Sequence, residues 1–428
     1  MKRTTRIILL SSTIVFSSAL FSCATNWCYR YTVMKENDKA INECSKAIAL
    51  NPLRGDAYHN RGAAYYQKGQ YNQAISDLSM AIELMPKNDF TYYRRGIVYD
   101  ENGQYDQAIA DYTKAIELSP IYFKYYGKYV GRGVSYSHKK EYDLAISDFD
   151  RAIELNSSDY YAYTDRSACY GYKGEFDKAI ADLDKAIELN PAYDDAYYNR
   201  GVVYEWKGQY DNAIVDFAKA VDLNHQNAAA FVMRGNAYSS KGQHDQAIID
   251  LNKAIELNPR DAGAYRLRGL VYYRQGLFAK AADDFRKGLD LDSSNEYPYL
   301  WLILASEKIS KDDYSRSLEK LREYISSNSS TEWIRTVSKY YLKIDHLTAD
   351  DVLSEAAKGK GEKKTREQLC EAYYYIGEKK LMSGDKRSAK DFFLKSIETN
   401  MTTLIEYDNS KAFLQLLKDD KSLTDFYH

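Results

Sequence analysis

Proline is scarce in this chain, six residues in 428, and histidine is no commoner at six. The histidines are scattered, without the close pairing that a metal site needs, so no metal or other cofactor is expected. Neither sign of charge dominates: 59 basic residues face 61 acidic ones, a formal net charge of −2. Lys and Arg are dispersed instead of gathered in blocks, which leaves nucleic-acid binding without an electrostatic footprint. Beyond the N-terminal segment no long apolar run occurs, and spanning a bilayer takes roughly 20 apolar residues, so nothing downstream is expected to cross one. Asp345, His346, Asp350 and Asp351 form a polar cluster, but no glycine loop or nucleophile signature accompanies it. That cluster reads as the N-terminal region of a helix, and no residue is assigned a catalytic role. Tyrosine, by contrast, is abundant at 42 residues.

The chain opens with Lys2, Arg3 and Arg6, continues through a short apolar stretch from Ile7 to Leu20, and reaches Leu20-Phe21-Ser22-Cys23. A basic start ahead of a short apolar stretch is the pattern of a signal peptide, here residues 1–22. Leu20-Phe21-Ser22-Cys23 resembles a bacterial lipobox, in which cleavage before the cysteine exposes its thiol for lipid attachment. The resemblance implies acylation, for example by palmitate, at Cys23 and a protein anchored outside the cytoplasm. The outer membrane facing the periplasm is the expected location, ahead of the inner membrane.

Five of the six prolines, Pro52, Pro86, Pro120, Pro191 and Pro259, lie 34, 34, 71 and 68 residues apart, multiples of 34 with one insertion of three. Ala74, Ala108, Ala145, Ala179, Ala213, Ala247 and Ala281 keep the same spacing, as do Gly62, Gly96, Gly133, Gly201, Gly235 and Gly269. Within 55–88, Tyr58, Arg61, Gly62 and Tyr65 fall at helical spacing, and Ala74, Leu78 and Ala81 do so again. Gly69 and Gln70 mark a turn between the two helices, and Pro86 stops the second. Each unit is therefore a helical hairpin whose apolar face is bare until the next hairpin covers it. Small residues allow close approach, and Tyr58, Tyr65 and Leu78 fill the spaces between.

These motifs resemble the tetratricopeptide repeat family, with full units at 55–88, 89–122, 126–159, 160–193, 194–227, 228–261 and 262–295. The resemblance implies an all-α solenoid, a right-handed superhelix of helical hairpins that binds proteins or peptides in a concave groove. A partial repeat fills 23–54. The insertion Phe123-Lys124-Tyr125 precedes the third unit, and Ser167 replaces a glycine in the fourth.

Arg61, Arg95, Arg132, Arg166, Arg200, Arg234 and Arg268 each precede an Asp by sixteen residues, from Asp77 to Asp284. The antiparallel hairpin brings such positions together, so a structural ladder of Arg–Asp pairs is predicted. On the first helices, offset from the packing stripe, stand Tyr66, Phe90, Tyr93, Tyr161, Tyr172, Tyr198, Trp206, Tyr273 and Arg274, with Asp100, Glu101 and Glu205 among them. An apolar surface with acidic points suits an extended peptide or a partner helix, and these residues are the expected partner groove. The Lys and Asn pair with which some tetratricopeptide proteins hold a carboxylate is missing at His59 with Ala63 and at Tyr93 with Ile97. Cys28 and Cys44 fall at facing helix positions if the partial repeat keeps register, and either a disulfide or two buried thiols fits that placement.

After residue 295 the period is lost. Residues 296–369 read as non-repeat helices with a polar loop at Gly359, Gly361, Lys363 and Lys364; 370–428 hold a repeat-like unit, with Gly377, Gly384 and Ala389, and a capping helix over Ser410 to Lys418. Tyr299-Leu300-Trp301-Leu302, Trp333, Tyr340-Tyr341, Tyr373-Tyr374-Tyr375-Ile376-Gly377 and Ser383-Gly384-Asp385 resemble the C-terminal half of the new-lipoprotein-I family of outer-membrane lipoproteins. Members of that family are dimeric adaptors that bring cell-wall endopeptidases to a periplasmic processing protease. The resemblance implies an anchored scaffold with envelope peptidases among its partners and a homodimeric state. Two other readings are a cell-wall or carbohydrate-binding lipoprotein using the groove aromatics, and an enzyme with a site in 296–369.

Overall fold

The computed structural model describes residues 28–119, 126–294, 297–327, 332–344 and 346–401, together with 406, 409–411 and 414. Cys23 and the signal peptide lie outside the described residues, as do the insertion Phe123-Lys124-Tyr125 and most of the expected capping helix. Every regular element among the described residues is a helix, and up to Leu291 the helices form the consecutive hairpins that the 34-residue period predicts. Two compact units divide after Pro191.

The first unit begins with α1 (28–33) and α2 (Asn37–Leu50). Four hairpins follow: α3 (Gly55–Gln67) with α4 (Tyr71–Leu84), α5 (Asp89–Glu101) with α6 (Tyr105–Leu118), α7 (Gly127–His138) with α8 (Tyr142–Leu155), and α9 (Tyr160–Tyr172) with α10 (Phe176–Leu189). Each hairpin packs on the one before it through α4 and α5, α6 and α7, α8 and α9. The turns close because Gly69, Gly103 and Gly174 sit at φ 70°, 72° and 77°, a left-handed backbone that strains any residue with a side chain. Lys140 takes the same place between α7 and α8 at φ 63°. Close approach within a hairpin explains the helical glycine: a Cβ on Gly62 would lie 2.8 Å from Leu78 Cγ. Leu78 is fully buried there, which stabilises each such layer by roughly 1.5–3 kcal/mol.

All seven Arg–Asp pairs form. Arg61 Nε and Nη2 donate to the two carboxylate oxygens of Asp77, both at 2.7 Å, and Arg132 repeats this on Asp148 at 2.7 and 2.7 Å. The third nitrogen reaches back to the preceding hairpin: Arg61 Nη1 to Ser45 Oγ at 3.0 Å, Arg95 Nη1 to Ser79 Oγ at 2.9 Å. One guanidinium thus locks its own hairpin and fastens it to its neighbour. The aspartates are buried, which rules out independent solvated charges. Lys128, at the start of α7, is also buried; its ammonium donates to Asp89 of α5 and to the Ala115 carbonyl of α6, tying down the hairpin that follows the insertion. The Cys28 and Cys44 sulfurs are bonded, which joins α1 to α2.

The second unit holds three more hairpins, α11 (Asp194–Trp206) with α12 (Tyr210–Leu223), α13 (Ala228–Ser240) with α14 (His244–Leu257), and α15 (Ala262–Arg274) with α16 (Phe278–Leu291). Then come α17 (Tyr297–Glu307), α18 (Lys311–Ser327), α19 (Glu332–Leu342), α20 (Ala349–Ala356), α21 (Glu362–Met382) and α22 (Lys386–Glu398). Asp350 and Asp351 occupy the first turn of α20, where Thr348 and Asp351 form a capping box. The polar loop is shorter than expected: α21 starts at Glu362, so Lys363 and Lys364 are helical. Gly361, at φ 91°, ends the loop, and the charged residues after it suit an exposed first helical turn as well as a loop. In the α21–α22 hairpin a Cβ on Gly377 would lie 2.8 Å from Phe393, and Gly384 turns at φ 82°, the devices of the regular repeats. No helix among the described residues is long and apolar enough to cross a membrane.

Candidate functional site

In the first unit α3, α5, α7 and α9 form one row, each touching the next. At the N-terminal end of that row α1, α3 and α5 line a cleft of about 510 Å³. Its walls include Tyr29, Val33, Asp56, His59, Asn88, Phe90 and Arg94. Tyr29 and Val33 are 60% and 62% exposed, so apolar surface is left open at the rim.

Two cations line the cleft, the exposed Lys35 and Arg94, and Arg94 is the desolvated one. Its guanidinium lies over the Phe90 ring at 4.9 Å, yet it makes no hydrogen bond or ion pair with a described residue, and its Nε is buried without a partner. Burial draws its pKa down from the ordinary value, but an arginine stays charged at neutral pH. Asp56, the acid on the rim, is held by Arg54 at 2.9 Å. His59 lies tilted 5.4 Å from Phe90 and faces Thr91 Oγ1 at 3.1 Å. Burial, aided by Arg94, lowers its pKa to about 4, so the ring is neutral at pH 7 and adds no positive charge. The cleft therefore offers one desolvated, uncompensated cation beside aromatic surface.

The predicted groove residues meet different fates. In the first unit Tyr66 and Phe90 are half-buried, and Tyr161 and Tyr172 are 52% and 62% exposed. Tyr93 does double duty: its ring lies 5.9 Å from Tyr112, and a Cβ on Gly127 would meet its hydroxyl at 2.8 Å, so it also fills the joint between α5 and α7. Asp100 accepts from Ser135 Oγ at 2.5 Å, and Glu101 is exposed. In the second unit Tyr198 packs 5.8 Å from Phe217, and Trp206 is 40% exposed. Glu205 accepts from Asn236 Nδ2 at 2.5 Å, and burial pushes its carboxyl up to about 7.

Tyr273 and Arg274 correct the expectation. Tyr273 lies edge-on to Phe278 at 5.3 Å and to Trp301 at 5.4 Å, enclosed by the helices that follow the repeats. Arg274 donates to Asn409 Oδ1 at 2.7 Å and to Ser239 Oγ at 3.0 Å. Both are taken up inside the protein. Counting positions along a repeat does not reveal that α17 and the C-terminal segment come to rest on the last one.

Asp165 was missed by the sequence reading. It stands on α9 one helical turn from Tyr161 and two from Tyr172, half-buried, with no hydrogen bond to any described residue. Burial, with a smaller push from Asp159, raises its carboxyl to about 7. A Tyr-x3-Asp-x6-Tyr spacing along one helix face was the available signal.

Family models of the tetratricopeptide repeat match residues 55–88, 90–122, 129–159, 194–227 and 262–295, and a further TPR repeat model matches 169–205 and 235–276. Among solved structures, the chain is 26% identical to YrrB, described as a TPR protein with an unusual peptide-binding site; the match covers 44% of this chain and 95% of that one at a TM-score of 0.37. MamA is 30% identical over 39% of this chain and 96% of its own, with a TM-score of 0.36. A tetratricopeptide repeat protein from Parabacteroides merdae is 21% identical, covering 59% of this chain and 98% of its own, with a TM-score of 0.49.

Proposed function

Because the chain belongs to the tetratricopeptide repeat family, whose models together cover about half of it, we propose that it is a non-catalytic scaffold that holds protein partners by extended segments along the inner helices of its hairpins. The carrying observation is the 510 Å³ cleft of the first unit, where Arg94 is desolvated without a counter-charge beside Phe90. A buried cation left unpaired is costly, and a ligand that supplies a carboxylate and an apolar side chain recovers that cost.

The finer reading is an extracytoplasmic adaptor, lipid-anchored at Cys23 and held at the outer membrane facing the periplasm. The lipobox-like Leu20-Phe21-Ser22-Cys23 supports the anchor, and a bonded Cys28–Cys44 pair suits an oxidising compartment. The new-lipoprotein-I-like motifs from Tyr299 to Asp385 support envelope peptidases as partners and a homodimer as the assembled state.

Crosslinking of the anchored full chain in its own cells, followed by mass spectrometry, tests this. Envelope proteins captured by the wild type and lost with Arg94→Glu are the expected result. Capture of peptidoglycan alone, or of the same proteins by both forms, overturns the reading. Labelled palmitate retained after Cys23→Ser overturns the anchor.

A further inference from the structure

Along α9, Tyr161, Asp165, Ala168 and Tyr172 follow one another at steps of four, three and four, a single stripe on the row that α7 and α9 share. At 1.5 Å per residue, Asp165 lies about 6 Å along the axis from Tyr161 and about 10 Å from Tyr172. Both tyrosines are more than half exposed, and Ala168 between them is exposed with only a methyl group, so the stripe has a notch whose floor is the Asp165 side.

The carboxylate in that notch is unusual within its unit. It lacks a hydrogen-bond partner among the described residues, yet its oxygens are not among the sealed, unpartnered polar atoms, so they stay within reach of solvent. Nearby cations are engaged elsewhere. Arg166 spans Asp182 and Asp150, Lys173 spans Asp143 and Glu175, and Arg132 of α7 is held by Asp148. The other acidic group near it, Asp159, adds repulsion. A desolvated, reachable and uncompensated carboxylate between two tyrosine rings is the complement of a cation on an aliphatic stem. Tyr172 is stacked on Tyr142 at 5.4 Å and Tyr161 lies 4.3 Å from Tyr160, so the stem crosses Ala168, the head meets the carboxylate, and the exposed remainder of each ring lies beside the positive charge. A guanidinium gains more than an ammonium, since it binds a carboxylate through two parallel N–H groups and stacks on a ring.

We infer that Asp165, with Tyr161 and Tyr172, is a subsite for a basic side chain, arginine above lysine, of an extended peptide lying along the first unit. The inference rests on the peptide-binding reading above and adds the chemistry of one contact. It also gives the row a polarity: an uncompensated cation, Arg94, on α5 and, on α9, a carboxyl that a bound cation holds ionised, so that a peptide carrying both signs fits in one direction only.

The test is a displayed library of linear peptides of about ten residues, which reach roughly 33 Å when extended, selected on the full chain and on Asp165→Asn. Peptides won by the wild type are expected to carry Arg or Lys at one fixed position, and those won by Asp165→Asn to have lost that preference. One wild-type peptide should bind Asp165→Asn about tenfold more weakly, while its Arg→Gln counterpart binds both proteins alike. Tyr161→Ala, an exposed position, should weaken the basic peptide in the same direction and serves if Asp165→Asn fails to fold. A neutral consensus on the wild type, or a basic preference undiminished in Asp165→Asn, overturns the subsite and leaves the peptide-binding row standing. No enrichment on the wild type overturns both.

Discussion

In the hairpins of the first unit every buried carboxylate of the ladder has its own guanidinium, and Arg132 holds Asp148 through two hydrogen bonds of 2.7 Å. Among the helices that close the second unit, the buried carboxylates meet phenols and an indole instead. Glu371 accepts from Trp333 Nε1 at 2.7 Å and from Tyr297 hydroxyl at 3.0 Å, and Glu406 from the Tyr375 hydroxyl at 3.2 Å. Glu378 lies against the Tyr273 and Tyr374 rings, with one oxygen left unpartnered. Burial raises all three carboxyls, Glu378 and Glu406 to about 7. The difference follows from layer thickness. A repeat layer is a few small residues deep, so its polar tie sits near the surface where an arginine can reach. Around Trp301, Tyr374, Tyr375 and Phe393 the apolar cluster is thick, and although Lys308 near Glu378 and Arg274 near Glu406 pull the other way, burial wins and stabilises the acids in the neutral form.

Breaking one rung of the ladder has the largest expected effect. Arg132→Met leaves Asp148 buried and unpaired, and Asp148→Leu leaves the guanidinium in the same position; each should cost about 3 kcal/mol. The double variant should lose clearly less than the sum, because no orphan charge remains, as read from urea unfolding followed by circular dichroism. Strict additivity would mean that the rung is solvated in solution.

Of similar size is the pH response of the other region. Below pH 4.5 Glu378 is protonated in both folded and unfolded chains. Between 4.5 and about 7 the folded chain keeps the proton and the unfolded chain releases it, so stability falls as pH rises through that window and levels off above it. With about 1.4 kcal/mol per pKa unit, the fall from this carboxyl is on the order of 3–4 kcal/mol. Glu378→Gln should flatten that share of the slope, seen as urea midpoints at pH 5 and pH 8 that lie closer together than in the wild type. An unchanged slope would place the fall elsewhere.

The smallest effect lies in the turns. Lys140 holds φ 63° where the neighbouring hairpins of its unit have glycine. Lys140→Gly should relieve that strain and stabilise the α7–α8 hairpin by up to about 1 kcal/mol, visible as slower amide exchange in both helices. Faster exchange would show that the side chain contributes more than the strain costs.

Periodicity made the hairpins legible, because a helix face and a turn glycine each leave a local mark: Gly62 above Leu78 and Gly69 in the turn were both expected from spacing alone. The ladder was legible for the same reason, since sixteen residues is a fixed distance across one hairpin. Asp165 was not, because an acid on an exposed face looks like any solvated charge until the partners of its neighbours are known.

Sequence by itself determined the all-helical class, the repeat length, the turns within the repeats, and the pairing of Arg with Asp, all of which depend on contacts within one hairpin or between successive ones. Only the tertiary structure decided which groove positions stay available. Tyr273 and Arg274 match open positions in register, yet Trp301 and Asn409, 28 and 135 residues further along, occupy them. Availability depends on what comes back to cover a surface, and a local pattern carries no record of that.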